Sequence, residues 1–218
     1  MSETSSKKRK LSLPLVLAGG VSSLVLALGM SPTFSAFTAS IVNTGNTAGM
    51  GTLTMLETTK DGTGPNSCSS GLGSANCTTI NKYGGSITMV PGTPVATDIA
   101  IKNTGSVAAS SFSLYFGACS NTPTGVDLCS KMLVEVKSGT KVLTPAGGIT
   151  AASLATTYPQ ATPIDIKAAL GGSPIVGGTS AVAISFTITV TMPSTSGTGD
   201  NAFQGASISQ AMTWSFQS

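Results

Sequence analysis

Val182-Ala183-Ile184-Ser185-Phe186-Thr187-Ile188-Thr189-Val190-Thr191-Met192 alternates between apolar and small or hydroxyl-bearing side chains along its whole length. In an extended chain successive side chains point to opposite faces, so this period of two makes one continuous apolar face and one hydroxyl face. The stretch predicts a long strand with Val182, Ile184, Phe186, Ile188, Val190 and Met192 turned inward. The same alternation recurs in Val95, Thr97, Ile99 and Ile101 against Ala96, Asp98, Ala100 and Lys102, and in Ile208, Met212, Trp214 and Phe216 near the end. Shorter runs at Leu53 to Glu57, Ser86 to Val90, Val107 to Phe116, Met132 to Lys137 and Lys141 to Thr144 add strands. The last two flank Ser138-Gly139-Thr140, which suits a hairpin. Pro91-Gly92, Gly147-Gly148, Gly171-Gly172-Ser173-Pro174 and Gly177-Gly178 punctuate the rest as turns, leaving room for a brief helix around Ile166 to Leu170, stopped by Gly171. Many short strands between turn signals predict an all-β fold: a jelly-roll-like antiparallel β-sandwich over residues 51–218.

What precedes this domain reads differently. Lys7, Lys8, Arg9 and Lys10 are followed by an apolar run from Leu11 to Met30, the charged-then-apolar layout of an export signal helix. Pro14, Gly19, Gly20 and Gly29 interrupt the run, which favours a removable leader over a membrane anchor. Ser35 and Ala36 are small enough to place cleavage between Ala36 and Phe37, so residues 1–36 are expected to be a signal peptide. Any contact with a membrane would then pass through that leader alone. Residues 37–50 form an extended N-terminal segment in which Phe37, Ala39 and Ile41 alternate with Thr38, Ser40 and Val42.

The chain has 218 residues, with 11 basic and 8 acidic side chains. Lys7, Lys8, Arg9, Lys10 and Glu3 belong to the leader, so seven of each sign remain. A neutral, sparsely charged surface offers nucleic acid or anionic lipid no electrostatic footprint, and opposes self-association weakly. Cys68, Cys77, Cys119 and Cys129 are four and fall in two local pairs, which fits an oxidising compartment and a secreted or cell-surface protein. Of the three possible connectivities, Cys68 with Cys77 and Cys119 with Cys129 close the shortest loops. Neither pair has the spacing of a zinc knuckle. Asn76-Cys77-Thr78 is the one glycosylation sequon.

Catalytic chemistry is poorly provided for. The chain contains no histidine, which excludes Ser-His-Asp triads and imidazole acid–base work. Glu57, Asp61, Asp98, Asp127, Glu135, Asp165 and Asp200 are scattered over different elements and read as solvated surface or turn acids, not as a catalytic pair. No calcium loop or phosphate loop is present, and no cofactor is implied. Trp214, in register with Met212 and Phe216, reads as core, and Tyr83, Tyr115 and Tyr158 mark no binding platform.

Three stretches resemble the TasA/camelysin family of exported fibre subunits with a SipW-type leader. They are Phe34-Ser35-Ala36-Phe37-Thr38-Ala39 through Asn46-Thr47-Ala48-Gly49-Met50-Gly51-Thr52-Leu53, then Ile99-Ala100-Ile101-Lys102-Asn103-Thr104-Gly105-Ser106, and Asn201-Ala202-Phe203-Gln204-Gly205 before the closing strand with Trp214. Residues 117 to 180 carry no part of the resemblance, and the four cysteines depart from it. The resemblance implies a jelly-roll subunit of a homo-polymer, with minor fibre subunits as further partners, in which the N-terminal segment of one copy, here Phe37, Ala39 and Ile41, completes the sheet of the next. Protease activity ascribed to camelysin-like proteins does not carry over, because no His-Glu-x-x-His exists here. The expected function is therefore a structural, non-enzymatic subunit of extracellular fibres or pili of a biofilm matrix or cell surface. The alternative is a monomeric secreted or wall-associated domain that binds carbohydrate or serves adhesion.

Overall fold

The alternating stretch forms strand β9 (Ile184–Thr191), and its hydrophobic face is the middle of the core: Phe186, Ile188 and Val190 are fully enclosed. The computed structural model describes residues 51–218 apart from 63, 72, 86–88 and 196. The expected signal helix, the Ala36/Phe37 junction and the segment carrying Phe37, Ala39 and Ile41 lie outside the described residues, as does most of the strand expected at Ser86 to Val90.

The described chain is an antiparallel β-sandwich. In order it runs β1 (Met55–Thr59), β2 (Ser67–Ser69), β3 (Val95–Asn103), β4 (Ser111–Thr122), β5 (Leu133–Ser138), β6 (Lys141–Val142), β7 (Ile149–Thr150), helix α1 (Ala151–Thr157), β8 (Ile164–Asp165), helix α2 (Ile166–Ala169), β9 and β10 (Ser207–Gln217). The larger sheet is ordered β2-β1-β3-β9-β5-β6, with β7 also paired to β5, and the smaller is β10-β4-β8. The chain changes sheet between β3 and β4, β4 and β5, β7 and β8, β8 and β9, and β9 and β10, passing back and forth across the sandwich. Registers such as Ile99 opposite Phe186 and Val136 opposite Ile188 line up the inward residues of three neighbouring strands. Across the sandwich Phe186 meets Phe112 of β4 edge-on at 5.9 Å and Trp214 of β10 at 4.5 Å. Each such buried side chain contributes about 1.5–3 kcal/mol by leaving water.

Several expectations need correction. Val182 is 77% exposed, because the strand starts only at Ile184, after a turn over Gly178–Ser180. Ala100, assigned to the water-facing side of β3, is buried, since the turn at Lys60–Gly62 folds over that face with Gly62 beside it. Beta-strand β4 starts at Ser111 and runs on to Thr122, with an irregularity where Gly117 lies against Ala211 of β10. Cys68 and Cys119 sit in strands and not in loops. Helix α1 was not expected. It starts because the Thr150 hydroxyl accepts from Ser153 N–H at 3.2 Å, an N-cap that the alanine-rich sequence after it extends. Helix α2 falls where expected, capped by Asp165 accepting from Ala168 N–H at 2.9 Å.

The Asn-Thr-Gly at the end of β3 has a physical task. Asn103 is wholly enclosed; its Nδ2 donates to Val107 O at 2.8 Å and Ile175 O at 3.0 Å, and its Oδ1 accepts from Gly105 N–H at 3.0 Å. One side chain thus ties the β3–β4 turn to the glycine-rich segment. Gly177 permits the approach, since a Cβ there would lie 2.7 Å from Val107 O.

Candidate functional site

The two sheets are unequal, and the inequality creates the site. Strand β10 pairs with β4 on one side, and among the described residues no strand covers its other edge. Along that edge runs a groove of about 1370 Å³. One wall is β10 itself from Ser207 to Phe216; the other is Met55 and Glu57 of β1 with the segment Gly73 to Gly85; Met132, Val190 and Met192 lie at its base. Ile208, Met212 and Phe216, expected in the core with Trp214, are only half buried because they border this opening, whereas Trp214 is enclosed against Phe112 and Phe186. Its indole N–H has no acceptor.

A disulfide and two polar links hold the outer wall. Cys68 and Cys77 are joined, with Cα atoms 5.8 Å apart, pinning the segment after β2; Cys119 and Cys129 are joined likewise, at 6.0 Å. Each closure of about ten residues adds roughly 2–3 kcal/mol by restricting the unfolded chain. Lys82 Nζ lies 3.0 Å from Glu57 Oε1, charge compensating charge without hydrogen-bond alignment, and both side chains are largely enclosed. Glu57 is thus a buried ion-pair member and not the solvated acid expected. Tyr83 donates its hydroxyl to Gln210 Oε1 at 2.6 Å, and Gln210 Nε2 donates to Gly117 O and Ala151 O at 2.9 and 2.8 Å. This chain of bonds ties the wall to β10. Tyr83 and Tyr115, scattered in sequence, both border the groove, and so does the exposed sequon residue Asn76. Period-two alternation finds none of this, because the wall is irregular chain brought in by a disulfide and an ion pair.

Five further carboxylates are spent on structure. Asp98 accepts from the Thr187 hydroxyl at 2.7 Å across β3 and β9, and Asp165 caps α2. The Ser130 hydroxyl and N–H hold Asp127 below the usual carboxylate range, Lys137 does so for Glu135 at 2.6 Å, and the Thr195 hydroxyl and N–H for Asp200. Among the described residues no three Cys, Asp or Glu side chains gather as a metal site, and no helix is long and apolar enough to cross a membrane.

These shifts define a pH profile. A depressed folded-state value means the native protein holds protons less tightly than the unfolded chain, so the stability is present above about pH 4 and is lost as pH falls through the lower folded values. Burial pushes the Tyr83 phenol upward, which has the opposite sense: its contribution is present below about pH 10 and fades above it. With no histidine to titrate between, the melting temperature should be flat from about pH 5 to about 10 and decline on both sides of that plateau. Thermal melts monitored by circular dichroism across pH 2–11 would show it; a step near neutrality would contradict the assignment.

No family model matches the chain, and no curated protein matches it.

Proposed function

We propose that the protein is a secreted structural subunit that assembles into extracellular fibres or pili, residues 37–50 of one copy entering the groove of the next as an added strand. The observation that carries this reading is the edge of β10 that no described strand covers, above a groove lined by apolar and polar side chains in similar measure. A strand there satisfies the free backbone groups of the edge and buries alternate side chains beneath it. Strand β10 has 11 residues, about 37 Å of edge, which the 14-residue segment can span.

Direction argues for a second copy as donor. Thr52 is tied to Ser106 and Val107, and Ser110 N–H donates to Gln217 O, so the chain enters the domain at the Gln217 end of β10. A segment attached there could cover β10 of its own domain only by running parallel to it, whereas every described pairing is antiparallel. A neighbour's segment has no such tether. The disulfides fit the oxidising exterior, the formally neutral mature chain opposes association weakly, and the resemblance to the TasA/camelysin stretches, Asn103-Thr104-Gly105 among them, points the same way.

The aromatic residues beside the groove, Tyr83, Tyr115 and Trp214, favour one other reading, a monomeric secreted domain that takes an extended ligand such as a glycan. Size-exclusion chromatography and electron microscopy of protein starting at Phe37 separate the two. Filaments are the expected result; a monomer that persists at high concentration would remove the fibre reading.

A further inference from the structure

Every methionine of the described domain borders this one groove. Met55 comes from β1, Met89 from the segment before β3, Met132 from the residue before β5, Met192 from the residue after β9 and Met212 from β10. Five places far apart in sequence thus direct the same flexible, polarisable side chain to one surface. Met132 and Met192 are buried at the base, while Met55, Met89 and Met212 are only partly covered. Unbranched thioethers repack around whatever enters, which suits a receptor for an incoming strand. They also carry the reactivity that a leucine-lined groove would lack.

We propose that Met55, Met89 and Met212 are an oxidative modification site, at which peroxide turns off strand acceptance while a seated strand shields the same sulfurs. The inference rests on the reading of the groove as a strand receptor. In the reaction the thioether sulfur attacks one oxygen of hydrogen peroxide; the S–O bond forms as the O–O bond breaks, sulfur gives up two electrons, and water leaves after proton transfer. The product is a sulfoxide, a strong hydrogen-bond acceptor on what had been an apolar side chain. Beneath an added strand that dipole would be buried against aliphatic side chains, weakening docking on the order of tenfold or more. No competing thiol takes up the oxidant, because all four cysteines are in disulfides. Met1 and Met30 belong to the expected leader, and Met50 lies in the donated segment, outside the receptor.

The test uses mature protein starting at Phe37, hydrogen peroxide as oxidant, peptide mass spectrometry to locate sulfoxides and filament growth from seeds as readout. Sulfoxide should form at Met55, Met89 and Met212 before Met132 and Met192, and growth should slow at least about tenfold. The triple variant Met55→Leu, Met89→Leu, Met212→Leu keeps the apolar surface and should grow alike before and after peroxide, although Met50 is still present. Wild-type protein with all three sulfoxides growing at its original rate would overturn the switch, as would equal poisoning of the leucine variant. If that variant fails to fold, footprinting of wild-type protein decides: the three methionines should oxidise at least about tenfold more slowly in preformed filaments than in monomer. Shielded methionines with growth indifferent to oxidation would sink the switch alone. Filaments whose groove methionines react as fast as those of the monomer would remove the groove as the docking seat, and the donor-strand reading with it; protein that never forms filaments would end both.

Discussion

Protein carrying Phe37→Asp with Ile41→Asp should melt at the wild-type temperature and form no filaments. Phe37 and Ile41 are the largest alternate apolar residues of the donated segment, and burying each in a neighbour contributes roughly 1.5–3 kcal/mol. Their loss removes about 3–6 kcal/mol per docking event, more than a hundredfold in affinity, before the cost of burying two carboxylates beneath the docked strand. Lys82 offers them little relief, since its charge is already engaged with Glu57. The fold should be spared because the described residues, all after Met50, already form a continuous hydrophobic core. A companion variant, Thr38→Asp with Ser40→Asp, charges the opposite face and should leave filaments intact. Electron micrographs with unchanged filaments from the first variant would discard the donor-strand assignment, and a lowered melting temperature would show that the segment belongs to its own domain.

Asn103→Ala should cost about 2–6 kcal/mol, a large share of the roughly 5–15 kcal/mol that holds an ordinary domain together. The substitution leaves Gly105 N–H without its acceptor and Val107 O without its donor, each buried group costing about 1–3 kcal/mol. Ile175 O loses less, because it also accepts from Ala109 N–H at 2.9 Å. Asn103→Asp should be no better: the retained oxygen can still accept from Gly105, but it cannot donate to either carbonyl and brings a charge into an enclosed site. Chemical denaturation gives the magnitude. A change under about 1 kcal/mol for the alanine variant would show that water replaces the amide without loss.

The Asn-Thr-Gly turn also marks a limit of pattern reading. A polar residue ending an alternating strand reads as the start of a solvent-exposed turn, yet Asn103 is as enclosed as Ile99. The difference comes from the Gly-rich segment around Ile175 and Gly177, more than seventy residues away, which folds over it. Glu57 misled in the same way, because its partner Lys82 comes from irregular chain with no period to read. Helix α1 hid in a stretch whose alanine, serine and threonine content suits strand, turn or helix until Thr150 caps it.

Local periodicity alone determined the sandwich class: apolar residues two apart must share a face, so β9, β3 and β10 could shelter those faces only by stacking sheets. Cysteine number and proximity in sequence pointed to disulfides 68–77 and 119–129 by the short loops they close. The tertiary structure decided which edge the described strands leave open, and that methionines from five separate stretches of chain meet along it. No pattern in a single strand encodes that outcome, because an edge is defined by the neighbour it lacks, and the shape of a groove by chain segments that only folding brings together.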